Sequence, residues 1–359
     1  MEKKALIAMS GGVDSSVAAL LCQQAGFDCM GVTLKLYDNE DAGLPREKTC
    51  CSVDDVADAR SVAFRLGMPF YVFNFKEAFR REVMDRFVQA YERGETPNPC
   101  VDCNRYIKFE KLMRRGEETG FPYIATGHYA RVEFDGAAGR WLLKKGLDEN
   151  KDQSYMLWSL TQWELSRLLL PLGGLTKERV RQLAEEHGFL NARKRDSQDI
   201  CFVPDGDYAA FIRRYAGKEF PPGTFVGTQG QVYGQHKGII HYTVGQRKGL
   251  GLSFPQPMFV KELDVEKNRV VLAKAEELFS QEVIARDINL ISVESIPAPL
   301  RVKARVRYRQ KEQPATVLQT GPCELRVVFD QPQRAVTPGQ SLVLYDGDTV
   351  VGGGKIARK

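Results

Sequence analysis

The sequence predicts an α/β fold: a doubly wound parallel sheet followed by a small central domain and a C-terminal β-barrel. Three observations carry this expectation. Short apolar runs alternate with amphipathic stretches through the first half of the chain, as strands and crossover helices do. The alternation stops near Gly206, where Pro221-Pro-Gly and glycines 227, 230, 234 and 238 cut the chain into short segments. Beyond Gln281 short strands and turns continue to the end, the pattern of a small barrel. At 359 residues the chain exceeds one comfortable core, so we expect domains at 1–205, 206–280 and 281–359.

Each element has a local reason. Ala5 to Met9 is nearly all apolar, as expected of a strand buried on both faces. Val17 to Cys22 reads as a helix ending near Gly26, and Met30 to Leu36 as the second strand. Ser52 to Gly67 reads as a helix with Ser52 as N-cap, Phe70 to Phe75 as a third strand, and Lys76 to Gly94 as a long amphipathic helix. Asn104 to Gly120 is a further helix, Tyr123 to Thr126 a strand, and Thr161 to Gly188 two helical segments. Ligands of such sheets sit beyond the carboxyl ends of the strands, where Thr126-Gly127-His128-Tyr129 falls. Gly127 there would permit close approach of adenine or ribose; the other reading is a turn with a core histidine. No internal repeat or low-complexity segment stands out.

The stretch organising the rest is Ser10-Gly-Gly-Val-Asp-Ser-Ser16, directly after the first strand. Glycines bring backbone N–H groups close to an anion, the serines add hydroxyls, and the helix dipole favours negative charge. A glycine pair is also compatible with a plain tight turn. No lysine follows it as in the Walker loop, and the dinucleotide fingerprint G-x-G-x-x-G is missing. What remains, S-G-G-x-D-S, resembles the PP-loop of ATP pyrophosphatases, adenine nucleotide alpha hydrolase-like enzymes that split ATP into AMP and pyrophosphate. That resemblance implies Asp14 as a magnesium ligand beside the phosphates.

Composition narrows the class. Hydrophobic content of 43% and charged content of 27% describe an ordinary globular protein. The net charge is +5, and the segment 281–359 holds twelve Lys/Arg against eight Asp/Glu, so most of the excess sits there. That distribution is compatible with an RNA partner. No apolar run approaches the ~18 residues of a membrane span. Met1-Glu-Lys-Lys4 and the five apolar residues after it are too short for a signal peptide. The expected location is the cytoplasm, with neither membrane nor DNA as a partner. Eight cysteines in that compartment point to thiol chemistry and not to a disulfide scaffold.

Cys100 and Cys103 form a C-x-x-C within Thr96-Pro-Asn-Pro-Cys-Val-Asp-Cys-Asn104, a proline-stiffened loop opening onto a helix. A thiol near a helix N-terminus is expected to ionise more readily. The motif alone is compatible with half a zinc site, a redox pair or sulfur chemistry. A second pair at zinc spacing is missing, and the adjacent Cys50 and Cys51 are awkward joint ligands. Cys201, in Asp196-Ser-Gln-Asp-Ile-Cys201, reads alone as a small buried hydrophobe.

Together these segments resemble one family, the tRNA-specific 2-thiouridylases. The likeness rests on seven segments in the family's order. They are Ser10–Ser15, Thr96–Pro99 with Cys103-Asn104, Ala125–Tyr129, Lys151-Asp-Gln-Ser-Tyr155, Asp196–Cys201, Tyr242-Thr-Val-Gly-Gln-Arg247 and Arg307-Tyr-Arg-Gln310. The resemblance implies an ATP site lined by Ala8, Met9, Ser10, Gly11, Gly12, Val13, Asp14, Ser15 and Gly127, with Leu34 packing on the adenosine. It implies Cys103 as nucleophile and Cys201 as the persulfide carrier. Asn98, Pro99 and Cys100 match the loop at the target base, and Lys151, Asp152, Gln153, Arg307 and Tyr308 match tRNA contacts. An upstream sulfur carrier or cysteine desulfurase would load the sulfur. One departure stands out: Cys100 occupies a position that is often Asp in the family, so an acid–base role there does not transfer.

The implied reaction suits the residues. The 2-carbonyl oxygen of uracil leaves poorly until adenylated, which explains an ATP loop; a thiol-borne sulfur then displaces AMP. The base must leave its stack, at roughly a few kcal/mol. Arg301-Val-Lys-Ala-Arg-Val-Arg-Tyr-Arg309 carries a basic residue at every odd position, so one strand face would present a row of charge to phosphates; otherwise it is a solvated face. Rival readings are another PP-loop synthetase or amidotransferase, or a non-catalytic RNA-binding protein. For the sulfur step, a transient Cys103–Cys201 disulfide is expected. The alternative is an Fe–S-dependent tRNA thiolase, with a 4Fe–4S cluster on Cys100, Cys103 and Cys201.

Overall fold

A computed structural model describes residues 2–38, 53–194 and 200–358. The chain forms two compact units. One comprises Met1–Val83, Pro99–Gly206 and Asp348–Val351; the other comprises Met84–Asn98, Asp207–Gly347 and Gly352–Lys359.

The first unit is built on a five-stranded parallel sheet. Its strands are β1 (Lys4–Ala8), β2 (Asp28–Lys35), β3 (Phe70–Asn74), β4 (Tyr123–Ala125) and β7 (Leu168–Leu169), in the order β3-β2-β1-β4-β7. β1 is central, with Ala5 opposite Cys29 on one side and Tyr123 on the other. Alternate residues of a strand face opposite ways. Ala5 and Ile7 therefore join one core with Val17, Ala18 and Ala19 of helix α1 (Val13–Gln24) and Ala59, Val62 and Ala63 of α2 (Val53–Arg65). Helices follow in two further long stretches. α3 runs through Lys76–Phe79, Arg80–Met84 and Asp85–Glu92, its part from Met84 onward belonging to the second unit, and α4 through Pro99–Asp102, Cys103–Lys111 and Leu112–Glu118. The C-terminal part of α4 packs beside β4. The last helix, α5 (Lys177–Glu186), lies against α1 and adds Val180 and Ala184 to the same core. The doubly wound parallel sheet is thus as expected.

Three details differ from the sequence reading. α4 starts at Pro99, not Asn104, because proline fits the first turn of a helix, where its missing N–H has no partner to lose. The C-x-x-C is therefore helical. β7 has only two residues and is invisible to periodicity. A hairpin, β5 (Ala130–Asp135) and β6 (Arg140–Lys145), was also not anticipated; Lys145 N–H donates to Asp348 O, and Thr349 pairs with Lys144. The expected N-cap Ser52, Cys50, Cys51 and Asp196–Asp199 lie outside the described residues.

The second unit contains α6 (Tyr208–Ala216), capped by the Asp207 carboxylate and ended by Gly217, and two β systems. Strands β8 (Gly223–Gly227), β9 (Val232–His236), β10 (Phe259–Asp264) and β11 (Arg269–Ala273) make a sheet ordered β10-β11-β8-β9. Strands β12 (Phe279–Leu290), β13 (Leu300–Arg305), β14 (Gln313–Gly321), β15 (Glu324–Arg334), β16 (Ser341–Asp346) and β17 (Thr349–Ile356) follow. They run in the order β12-β15-β14-β13-β16-β17, and β12 pairs again with β17, Ala285 opposite Ile356. This closes a six-stranded barrel, which leaves no edge exposed. Val283, Val302, Ala304, Val317, Val327 and Leu344 fill it.

Candidate active site

The glycine loop forms at the carboxyl edge of β1, as the topology requires. Gly12 is the extended N-cap of α1, and the first-turn N–H groups that lack intrahelical partners follow it. Gly11 adopts φ +76°, and a β-carbon there would collide with the Asp55 backbone at 2.3 Å, so only glycine allows α2 to close on the loop. Asn191 Nδ2 donates to Gly11 O and Ser16 Oγ, both at 2.9 Å. Ser15 and Ser16 hydroxyls donate to Gly12 O at 2.9 and 3.1 Å and are buried. They shape the loop, whereas Ser10 is exposed.

The other candidate nucleotide residues lie along the same edge. Ala8 and Met9 end β1, and Leu34 lies near the end of the neighbouring β2. Gly127 follows β4 and abuts the first turn of α1. Beside it, Thr126 Oγ1 and His128 Nδ1 are 2.8 Å apart. Burial, and secondarily the charge of Lys108, holds the His128 imidazole well below its usual pKa, so this is a neutral core histidine.

Asp14 Oδ1 accepts from Tyr129 Oη at 2.8 Å, and Lys177 Nζ donates to Oδ1 and Oδ2 at 2.7 and 2.8 Å. Neither partner was found from sequence, since 115 and 163 residues separate them from Asp14. The Thr126–Tyr129 stretch at a strand end was a usable signal for Tyr129. A lysine opening a helix gives none.

The cysteines separate by environment. Cys22 and Cys29 are buried in the core, and burial pushes their thiols up to about 12 and about 11, which makes them inert. Cys100 is exposed and Cys103 is buried near the start of α4; Cys201 is half-buried. From Cys103 the helix widens, with Leu112 N–H donating to Ile107 O five residues back, a distortion common at functional sites. Asn104 Nδ2 donates to Met156 O, which ties this turn to the segment after Gln153. Cys201 is fixed through its carbonyl, which accepts from Tyr37 Oη at 2.6 Å, while Phe202 packs edge-on to Phe79. Cys103 and Cys201 both belong to the first unit, and no disulfide joins them in this structure. Among the described residues no three His, Cys, Asp or Glu side chains converge as a metal site. Cys100, Cys103 and Cys201 therefore do not make a three-thiolate cradle, and the 4Fe–4S reading is set aside.

The remaining candidates are spread over both units. Asp152 is buried and accepts from Gly146 N, Ser154 N and Ser154 Oγ; Gln153 Oε1 accepts from Tyr129 N. Both brace the loop that Lys151 opens. Pro99 is buried at the start of α4, whereas Asn98 closes a segment of the second unit. In that unit Arg307 Nη2 donates to Val244 O, Ala335 O and Thr337 Oγ1, and Tyr308 follows in the turn after β13. The basic row alternates as expected, Val302, Ala304 and Val306 being buried. Its charges are partly neutralised within the unit: Arg301 pairs with Asp330 and Arg305 with Glu312. Lys303 and Arg309 are exposed and have no ion pair among the described residues.

A parallel sheet carrying a glycine loop and an acidic first helical turn defines a nucleotide-binding domain of the PP-loop class. Models of protein families match along the chain: a tRNA methyl transferase HUP domain at residues 3–205, a tRNA methyl transferase PRC-barrel domain at 209–274 and an aminomethyltransferase beta-barrel domain at 280–356. The chain is 50% identical over 358 residues to the tRNA-specific 2-thiouridylase MnmA of Clostridioides difficile, covering 100% of this chain and 99% of that one. It is 51% identical over 357 residues to a Thermoanaerobacter sp. relative, tRNA-specific 2-thiouridylase MnmA 1, covering 99% and 98%. The Acetivibrio thermocellus MnmA is 50% identical over 356 residues, covering 99% of each chain. The chain belongs to the tRNA-specific 2-thiouridylase family.

Proposed function

We propose that this protein is a tRNA 2-thiouridylase, a sulfurtransferase that replaces the 2-oxygen of the wobble uridine with sulfur while converting ATP to AMP and pyrophosphate. The observation that carries the reading is the joint presence, in one unit, of a glycine loop at a helix N-terminus and of the two cysteines Cys103 and Cys201. Methyl transfer, the activity in two of the matched descriptions, would leave both the loop and the thiols without a role.

Adenylation comes first. The uracil O2 attacks the α-phosphorus of ATP, the bond to the bridging oxygen breaks, and pyrophosphate leaves with that electron pair. N3 yields its proton to solvent. The loop from Ala8 to Ser15 holds the phosphates through backbone N–H groups, with Gly127 and Leu34 bounding the adenosine. Asp14 fits magnesium as a single ligand: its side chain is 31% exposed, and this ion binds through one or two carboxylates with phosphates and water. Magnesium, when bound with ATP, would neutralise phosphate charge.

Sulfur transfer follows. The terminal sulfur of a Cys201 persulfide attacks C2, and the C2–O bond breaks to release AMP. Cys103 thiolate then attacks Cys201 Sγ; the S–S bond to the substrate breaks, and its electron pair stays on the sulfur now at C2. The resulting Cys103–Cys201 disulfide is reduced by an external thiol before the next turnover, as a cytoplasmic setting allows. An upstream persulfide donor reloads Cys201.

Domain 1–205 would perform the chemistry, and 206–280 and 281–359 would hold tRNA. Asn98, Pro99 and Cys100 would approach the target base, with Lys151, Lys303, Arg307, Tyr308 and Arg309 toward the rest of the RNA. Pyrophosphate release with and without bulk tRNA tests the reading. Release that requires tRNA supports it; release driven by a small acceptor without tRNA would favour a synthetase.

A further inference from the structure

Lys177 belongs to none of the seven motif segments on which the family likeness rests. It is the first residue of α5, after the N-cap Thr176, and its backbone N–H donates to Asp148 Oδ2 at 3.0 Å. Its side chain is only 10% exposed, and its ammonium meets both oxygens of Asp14 in the first turn of α1. Tyr129 Oη holds the same carboxylate, and the Lys177 ammonium lies 6.0 Å from the Tyr129 ring centroid.

We propose that Lys177 is a phosphate-binding residue of the ATP site, which Asp14 and Tyr129 hold ready in the absence of nucleotide. The proposal deepens the ATP reading above and rests on it.

The charges are arranged poorly for stability and well for an anion. Burying two ions costs several kcal/mol each, and an apolar pair of similar volume is often as stable. A cation at the first turn of a helix faces the unfavourable end of the dipole, whereas Asp14 sits at the favourable end of α1. A triphosphate needs positive charge that a loop of glycines and serines lacks, since Ser15 and Ser16 hydroxyls are turned onto Gly12 O. Among the described residues two lysines reach this loop. Lys194 approaches Gly11 O at 3.5 Å, but Asp55 and Asp58 both hold it at 2.6 Å. Lys177 instead meets Asp14 in the first turn of α1, the helix end that follows the glycine loop. It is therefore the ammonium placed beside the loop when the α-phosphorus bonds to the incoming oxygen and pyrophosphate departs. The proton lost from N3 goes to solvent, and Lys177 acts in that step through its positive charge, which neutralises the leaving group.

The competing role is a structural counter-ion for Asp14. Lys177→Gln, which keeps a donor for Asp14, and Lys177→Arg separate the two in the full-length protein. For Lys177→Gln we expect melting temperature and tRNA affinity near those of the parent. The kcat of tRNA-dependent pyrophosphate release should fall on the order of 10²-fold, the loss seen when one preorganised donor is removed. Inhibition by added inorganic pyrophosphate should weaken about tenfold, as for one lost charged hydrogen bond, and Lys177→Arg should recover part of both. A Lys177→Gln protein that melts lower yet releases and binds pyrophosphate like the parent would overturn the proposal. Should Lys177→Gln fail to fold, pyrophosphate inhibition of Lys177→Arg decides alone: a weakened constant supports phosphate contact, an unchanged one overturns it. If the parent itself releases no pyrophosphate with tRNA, the ATP reading fails, a result distinct from any effect of Lys177.

Discussion

A β-carbon placed on Gly127 would lie 2.8 Å from both the Asp14 carbonyl carbon and the Ser15 amide nitrogen. The turn after β4 and the first turn of α1 therefore touch backbone to backbone, and only glycine permits it. Gly127→Ala must push the two apart. We expect a loss of about 1–3 kcal/mol in stability, typical of overpacking, with a raised KM for ATP in pyrophosphate release. An unchanged melting temperature and KM would show that the turn yields without disturbing the loop.

Asp14→Ala removes the carboxylate that Lys177 and Tyr129 share. It should abolish tRNA-dependent pyrophosphate release while tRNA binding, measured by filter retention, stays within a few-fold. Normal release would remove the loop from the ATP site.

That site was legible only in part. Ser10–Ser15 announce an anion cradle through residue types that few other loops need, and Ala5–Met9 announce its strand through apolarity alone. Lys177 and Asn191 were not visible because their meaning lies in contacts with Asp14, Gly11 and Ser16, more than 160 residues away. β7 is too short to leave a period. The barrel row alternates as its sequence implies, but Asp330, which neutralises Arg301, comes from β15, and Glu312, which pairs with Arg305, follows just beyond the row.

The row can be dissected by salt dependence. Arg305 and Glu312 are only 17% and 10% exposed, so Arg305→Ala removes a charged hydrogen bond from a largely buried carboxylate and should cost about 1–3 kcal/mol in stability. Lys303 is exposed, and Lys303→Ala should leave the melting temperature alone while lowering the slope of log affinity against log salt by about 0.7, the value for one single-strand phosphate contact. Identical slopes for parent and Lys303→Ala would leave this face solvated and idle.

His128 gives a pH test. Its folded pKa lies well below the unfolded value of about 6.5. The unfolded chain therefore binds a proton that the folded one refuses, and stability falls as pH drops below about 6.5. Melting temperature should decline from pH 7 to pH 5, and His128→Gln should flatten that decline. Equal slopes for the two proteins would mean that other groups govern the acid limb.

The thiols carry the central claim. Cys103→Ser and Cys201→Ser should each abolish thiolation, whereas Cys22→Ala should keep it, because that thiol is buried and inert. Cys100→Ser in iron-free protein should also remain active, since the three cysteines do not converge as a metal site.

The most direct measurement is mass spectrometry of nucleosides from tRNA incubated with the purified protein, ATP and a persulfide donor. The predicted result is 2-thiouridine derivatives at the wobble position with the parent, and none with Asp14→Ala or Cys201→Ser. Unmodified or methylated uridine from the active parent, or 2-thiouridine formed equally by Cys201→Ser, would contradict the proposed chemistry.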